Sequence, residues 1–258
     1  MLDTRDAIEF YHSLLDPRTA GESHDQLLAQ QQQRGLFFGD RPLCTVLRPR
    51  FLHPRQFRTL QDSIQAIMPA FAKAHQAALA DADFRYQFRL DDWEEDLVHL
   101  DPGFPSPSPT ARMDTFFDEK DELWITEYNA ETPAAIAYND VLTEVFLGLP
   151  VVREFEKRYD LRPLPGRHSL LHALIDSYRA WGGHEKPRIA ILDWREVPTY
   201  SEFVLFRDYF ESHGYECVIA DPRDVAYQNG RLYAEGRPVH IIYKRVLISE
   251  LAARGGRN

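Results

Sequence analysis

Residues 112–129, RMDTFFDEKDELWITEYN, decide the fold of this chain, because two strand-forming stretches flank a polar loop. The stretches TFF (residues 115–117) and LWIT (residues 123–126) are rich in β-branched and aromatic residues. The stretch DEKDE (residues 118–122) contains neither class. This order predicts an antiparallel β-hairpin with its turn in residues 118–122.

The predicted register brings four polar side chains together. Centring the hairpin on its loop places Asp114 opposite Glu127 and Arg112 opposite Asn129. Because side chains alternate between the faces of a strand, all four would share one face. Two opposed carboxylates repel and call for a cation, and with an amide oxygen they suit Mg²⁺. Arg112 would then face an anion; the alternative is an exposed face on which Arg112 pairs diagonally with Glu127 and nothing binds.

The pattern Arg-x-Asp followed by Glu-x-Asn resembles the magnesium and phosphate site of the circularly permuted ATP-grasp ligases, a group that includes glutathionylspermidine synthetase. Residues 127–133, EYNAETP, are similar to the segment E-x-N-x-x-(T/S)-P of that group. The resemblance spans roughly residues 45–253 and continues in order through three later stretches: residues 188–203, 220–223 and 242–245.

This resemblance implies an α/β fold, α+β overall, in three parts. Residues 1–101 would be a mainly helical N-terminal region, and residues 102–185 an ATP-grasp-like metal-site hairpin with helices. Residues 186–258 would be a Rossmann-like, pre-ATP-grasp-like βαβ substrate domain. The implied activity is an ATP- and Mg²⁺-dependent carboxylate–amine ligation through an acyl phosphate, with Arg112 catalytic. The implied magnesium ligands are Asp114, Glu127 and Asn129.

Further candidate residues follow two predicted parallel strands. Asp193 and Arg195 come after residues 188–192, and Asp221 and Arg223 come after residues 217–220. Ligands of open α/β sheets bind at the carboxyl ends of the strands, so substrate contacts are expected here. The alternative is that both aspartates only cap turns.

The resemblance adds three more candidates near the same domain. It places Glu202 among the substrate contacts, and Lys244 and Arg245 among the contacts to a nucleotide or an acyl phosphate. A solvated strand end is the alternative for the last two. No G-x-G-x-x-G follows the strand at residues 188–192, which disfavours a nicotinamide or flavin enzyme.

Composition excludes several functional classes. With 40 acidic and 30 basic residues, the net charge of −10 has the wrong sign for a nucleic-acid-binding protein. No apolar run approaches the roughly 20 residues that span a bilayer, and the N-terminus lacks a signal-peptide stretch. We therefore expect a cytoplasmic protein without a membrane partner. Cys44 and Cys217 are expected to be reduced thiols.

Periodicity and breaker residues predict the remaining elements. Pro69 should kink or split the longest helix, and Thr132 should cap the helix after the hairpin. The proline-rich residues 101–109 should form a connector or mobile loop. The predicted helices are 4–15, 23–34, 54–79, 133–146, 151–159, 167–181, 201–213 and 248–253, and the predicted strands besides the hairpin are 188–192, 217–220, 230–233 and 239–243.

The resembling ligases continue well beyond the point that corresponds to residue 258. We therefore expect a truncated ligase with weak or absent ATP binding by the isolated chain, completed by a longer chain, a separately encoded C-terminal half or a homo-oligomer. The substrates would be a small-molecule or peptide carboxylate and an amine. The hypothesis from another class is a non-catalytic binding or assembly module that works with a partner chain.

Overall fold

The structure is a computed structural model that describes residues 4–104 and 108–254. The helices in this part of the chain are α1 (Thr4–Ser13), α2 (Pro17–Arg34), α3 (Pro54–Ala80), α4 (Ala82–Tyr86), α5 (Asp92–Val98), α6 (Ile136–Leu147), α7 (Pro150–Phe155), α8 (Gly166–Ala180), α9 (Tyr200–Ser212) and α10 (Ile248–Ala253). The strands are β1 (Phe37–Phe38), β2 (Arg41–Pro42), β3 (Arg112–Phe117), β4 (Leu123–Asn129), β5 (Ile189–Leu192), β6 (Cys217–Ala220), β7 (Val225–Gln228), β8 (Arg231–Ala234), β9 (Arg237–Val239) and β10 (Ile241–Lys244).

A three-stranded parallel sheet with the order β10-β5-β6 forms the centre of the C-terminal part. The helix α9 connects β5 to β6, which is the predicted βαβ unit. Ile189, Ala190 and Ile191 of the central strand are fully buried, because helices and loops cover both faces of a parallel sheet. The predicted mixed α/β fold is confirmed.

The N-terminal helices α1 and α2 pack against α6 and α7 in a common apolar core. Tyr11 and Leu27 from the first pair and Val145 and Phe155 from the second are almost fully buried. The buried hydroxyl of Tyr11 donates a hydrogen bond of 2.6 Å to the carbonyl oxygen of Leu47. Helices that were predicted to belong to different regions of the chain therefore share one core.

Several predicted boundaries are wrong for identifiable reasons. The helix α2 begins at Pro17 and not at residue 23, because Asp16 caps it by accepting hydrogen bonds from the backbone N–H groups of Arg18 and Thr19. Of the kink or split predicted at Pro69, the split does not occur, because α3 runs through this residue.

The predicted strand 239–243 divides into β9, which pairs with β8 in an antiparallel sheet, and β10, which pairs with β5. The short elements α4, α5 and β7 were not predicted. The predicted connector at residues 101–109 lies partly outside the described residues. No helix of the described part is long and apolar enough to cross a membrane.

Candidate active site

The hairpin of β3 and β4 has the predicted register at its open end. Arg112 pairs with Asn129, and Asp114 pairs with Glu127. Partners directly opposite on an antiparallel pair project from the same face, with Cβ atoms about 5 Å apart. The four polar residues that were predicted to converge are therefore neighbours on one face of the hairpin.

A bulge interrupts the hairpin directly beside this cluster. The register shifts between Asp114 and Thr115, which leaves Thr126 as the extra residue of β4. The hydroxyl of Thr126 donates a hydrogen bond of 2.9 Å to the carbonyl oxygen of Asp114. Bulges re-aim side chains and are common beside active sites. This irregularity was not predicted, because counting residues from the loop assumes an uninterrupted ladder.

The guanidinium of Arg112 is held from two sides. Its Nε donates to Oδ1 of Asp114 at 2.7 Å and its Nη2 donates to Oδ2 at 3.3 Å, while Nη1 donates to the carbonyl oxygen of Ala134 at 3.2 Å. The ion pair raises the pKa of Arg112 and lowers the pKa of Asp114. Arg112 thus pairs with its own strand and not diagonally with Glu127, whose charge acts on it from nearby.

The residues predicted to hold magnesium offer suitable oxygen atoms. Glu127 is exposed, and the buried Nδ2 atom of the Asn129 amide has no hydrogen-bond partner in the described structure. Each carboxylate oxygen of Asp114 keeps a lone pair besides the one that accepts from Arg112. Two carboxylates and an amide oxygen are the donor set that Mg²⁺ prefers. Within residues 4–104 and 108–254, no three His, Cys, Asp or Glu side chains group in a way that could hold a metal ion.

The loop after β4 adopts an unusual backbone conformation. Thr132 and Ala135 have φ angles of 48° and 79°, in the left-handed region that non-glycine residues rarely occupy. The prediction that Thr132 caps the next helix is therefore wrong: α6 begins at Ile136, after Ala135. Sequence patterns indicate a cap from residue type, but they contain no information on this turn.

An ion pair and a hydrogen bond from a charged side chain tie this loop to the βαβ unit. Lys244, at the end of β10, donates to Oε1 of Glu131, and the same atom accepts from the backbone N–H of Ile248 at 3.0 Å. Arg245 donates to the carbonyl oxygen of Pro133. Lys244 and Arg245 lie at a strand end as predicted, but they contact the loop that follows β4.

Glu202 is fully buried at the start of α9. Its Oε1 accepts the backbone N–H of Ala137 at 3.1 Å, and its Oε2 lies 3.7 Å from Nη2 of Arg245. Burial raises the pKa of Glu202, and the charge of Arg245 opposes that shift. The assignment of Glu202 to substrate binding stays a prediction.

The other predicted substrate residues meet at the carboxyl ends of β5 and β6. Asp221, with its side chain 3% exposed, accepts from the backbone N–H of Arg195 at 3.0 Å and from Nε of Arg223 at 2.7 Å. These bonds hold the pKa of Asp221 far below its usual range. Asp193 is also buried, and burial raises its pKa. The predicted residues come together, and Asp221 acts as the acceptor of a local network.

Two residues of this region were missed by the sequence interpretation. Glu131 lies inside the EYNAETP stretch, between residues that were assigned, so its position was a usable signal. Ala134 contributes only its carbonyl oxygen to Arg112, and no side-chain pattern can indicate a backbone contact.

No protein-family description matches the sequence, and no curated protein does either. Among solved structures, the chain is similar to a glutathione synthetase-like effector, GSS30, from Globodera pallida in its apo form. The TM-score is 0.61 at 12% sequence identity. The fold is similar to that of a glutathione synthetase-like protein. The match covers 92% of this chain and 59% of the effector, so the chain spans about three fifths of the effector's length.

This likeness concerns the fold alone, because 12% identity does not carry residue roles from one protein to the other. It agrees with the ATP-grasp-like architecture that the motifs of the sequence imply. Within this fold, the hairpin cluster and the carboxyl ends of the parallel strands are connected by the loop at residues 130–135.

Proposed function

We propose that this chain is, or forms part of, an ATP- and magnesium-dependent carboxylate–amine ligase of the circularly permuted ATP-grasp type. The observation that carries the proposal is the placement of Arg112 and Asp114 directly opposite Asn129 and Glu127 on one hairpin face. The glutathione synthetase-like fold supports it. So does the strained loop that follows β4, because strained non-glycine backbone concentrates at functional sites.

The proposed magnesium ligands are Asp114, Glu127 and Asn129. A bound Mg²⁺ would neutralise charge on the phosphates of ATP. Glu127 has no ion-pair partner among the described residues, so its carboxylate is free to bind a cation. Without a cation, the carboxylates of Asp114 and Glu127 repel each other across the hairpin.

The proposed reaction has two steps that balance. A substrate carboxylate oxygen attacks the γ-phosphorus of ATP, the bond to the bridging oxygen breaks, and ADP leaves. An amine nitrogen then attacks the carbonyl carbon of the acyl phosphate, inorganic phosphate leaves with the bonding pair, and the nitrogen loses a proton. Such reactions depend mainly on positioning and electrostatic stabilisation, which this chain's own charged groups would supply.

Arg112 would stabilise the negative charge on the transferring phosphoryl group. Its guanidinium is already oriented by Asp114 and by the carbonyl oxygen of Ala134, so little reorganisation would be needed when the anion arrives. Lys244, which pairs with Glu131 in the loop after β4, would contact the nucleotide or the acyl phosphate from the βαβ side.

Release of ADP tests this proposal. Wild-type protein is incubated with Mg·ATP and sets of carboxylates and amines that include peptides, amino acids and polyamines. We expect Arg112→Ala to lower ADP release at least 100-fold, because the oriented charge beside the phosphoryl group is lost. Arg237→Ala, which removes an exposed ion pair with Glu216 at the opposite end of the parallel sheet, is the matched control. Equal turnover by Arg112→Ala and wild type would remove Arg112 from the mechanism.

One observation favours a second candidate, a non-catalytic binding or assembly module that works with a partner chain or a second copy. In the described structure, β10 is an edge strand with one neighbour, and its Ile242 is 40% exposed. An open edge can pair with another chain. Absence of ADP release from wild-type protein with every substrate class, together with a stable complex in size-exclusion chromatography, would favour this candidate over the ligase.

A further inference from the structure

Glu202 and Arg245 form an ion pair inside the protein. Their side chains are 0% and 3% exposed, and the shortest distance between Oε2 of Glu202 and Nη2 of Arg245 is 3.7 Å. Removing two charges from water is costly unless other hydrogen bonds satisfy them. The positions of those other bonds indicate what the pair does.

Both side chains reach the same short segment, residues 133–138. The carboxylate of Glu202 accepts the backbone N–H of Ala137 at 3.1 Å. The guanidinium of Arg245 donates to the carbonyl oxygen of Pro133. The carboxylate therefore binds an N–H group at the start of α6, and the guanidinium binds a carbonyl group before it.

This segment cannot keep its conformation by local preference. Thr132 and Ala135 both have positive φ angles, which clash with a Cβ atom and are least tolerated by a β-branched residue. Such backbone persists only where the surroundings determine it. Arg245 binds the residue that follows Thr132, and Glu202 binds Ala137, two residues after Ala135.

Residues 133–138 also contact the candidate active site. Ala134 lies between Pro133, whose carbonyl group is bound by Arg245, and Ala137, whose N–H group is bound by Glu202. The carbonyl oxygen of Ala134 itself accepts from Nη1 of Arg112 at 3.2 Å. Turning the peptide group of Ala134 would remove this acceptor and leave Asp114 as the remaining anchor of the guanidinium.

We propose that Glu202 and Arg245 are positioning residues that act on Arg112 through Ala134 and do not themselves contact substrate or nucleotide. The catalytic effect of this positioning rests on the proposed ligase function, whereas the effect on the orientation of Arg112 does not. Their burial behind residues 133–138 argues against the role in substrate or phosphate binding that the family resemblance implies for them.

Solvent exchange of the Nε–H proton of Arg112, measured by nitrogen-15 NMR, tests the proposal without nucleotide or activity. We expect at least 10-fold faster exchange in Glu202→Met and in Arg245→Met than in wild type, because the guanidinium loses its second anchor. Arg237→Met, which removes an exposed ion pair, is the control and should leave the exchange unchanged. Wild-type exchange of Arg112 in folded Glu202→Met would overturn the proposal.

The double variant Glu202→Met/Arg245→Met separates positioning from stability. It leaves no unpaired buried charge, so its melting temperature should recover relative to Arg245→Met alone. The exchange of Arg112 should stay fast, since the loop is still unclamped. If the melting temperature and the exchange rate of Arg112 both returned to the wild-type values, the pair would act only through stability, and the proposal would be overturned.

Steady-state kinetics provide an independent readout where the chain releases ADP. A positioning role predicts that Glu202→Met lowers kcat at least 10-fold with little change in KM, whereas direct substrate contact predicts a raised KM. A raised KM with unchanged exchange of Arg112 would contradict positioning. Failure of the ligase proposal would instead appear as absent ADP release with the NMR result intact.

Discussion

Cys217 and Cys44 differ in environment although both were expected to be reduced thiols. Cys217 begins β6 and is 6% exposed in the apolar core with Phe206 and Phe210, and burial raises its pKa to about 12. Cys44 is half-buried, and its thiol donates to the carbonyl oxygen of Val46 at 3.3 Å. Because the thiolate is the reactive form, the two residues should react at different rates.

We expect iodoacetamide at pH 8 to leave Cys217 unmodified in the native protein. With a pKa of about 12 its thiolate fraction is about 10⁻⁴, against about a quarter for an ordinary cysteine. Mass spectrometry of Cys44→Ser, which carries Cys217 alone, should detect modification only after addition of denaturant. Rapid modification of native Cys44→Ser would contradict the described burial.

At the scale of elements, α3 has nearly the predicted extent but is not split at Pro69. It runs for 27 residues through this proline, and Gln56 is its one buried residue. A proline inside a helix removes a hydrogen bond and clashes with the carbonyl group four residues earlier, so a kink or a split was predicted. Tertiary contacts hold the helix on both sides of Pro69: Gln56 donates to Oδ1 of Asp121 at 2.7 Å, and the ring of Phe71 stacks on that of Tyr128 with 4.1 Å between the ring centroids.

Replacing Pro69 tests how much this residue lowers the free energy of unfolding. Pro69 is exposed, so Pro69→Ala removes no packing. We expect it to raise the free energy of unfolding by up to about 3 kcal/mol, because alanine restores the N–H group and the helical propensity. Thermal denaturation measures the change. Pro54→Ala at the first position of α3, where proline is well tolerated, is the control and should give no gain.

At the scale of the whole molecule, the apolar clusters are connected. Leu205 of α9 packs against both the helical cluster around Phe155 and the cluster beneath the parallel sheet. Val197 packs against the second of these and a third cluster that contains Trp194. The predicted boundaries at residues 101 and 185 are therefore crossed by continuous packing.

This continuity predicts cooperative unfolding. Phe155 is 1% exposed and contacts four aromatic rings, so we expect Phe155→Ala to cost about 3–5 kcal/mol. In Phe155→Ala, the urea midpoint measured by far-UV circular dichroism and the one measured by tryptophan fluorescence should decrease by the same amount. Tyr227→Ala, at a 75% exposed position, is the control. Two separate transitions would instead support independent domains with the predicted boundaries.

Agreement between prediction and structure depends on how far apart in the sequence the interacting residues lie. The bounds of β6 and α10 were predicted correctly, because they follow from periodicity and local turn signals. The pairing of Asp114 with Glu127 was also predicted correctly, but it depends on the bulge, which was not predicted: the register at the turn, where Phe117 pairs with Leu123, would otherwise place Asp114 opposite Thr126. The start of α6 was not predicted, because Thr132 takes a left-handed conformation that its residue type does not indicate. Whether Asp114, Glu127 and Asn129 bind magnesium stays a prediction.

The sequence by itself determined the hairpin, its polar face and the βαβ unit, since side-chain alternation and apolar runs are properties of neighbouring residues. Only the tertiary structure decided that Glu202 and Arg245 hold the loop before α6. The contact of Glu202 with Ala137 joins positions 65 residues apart, and that of Arg245 with Pro133 joins positions 112 apart. Such contacts form where the packed core brings distant segments together, and the same packing buries the carboxylate of Glu202 and the guanidinium of Arg245 as a pair.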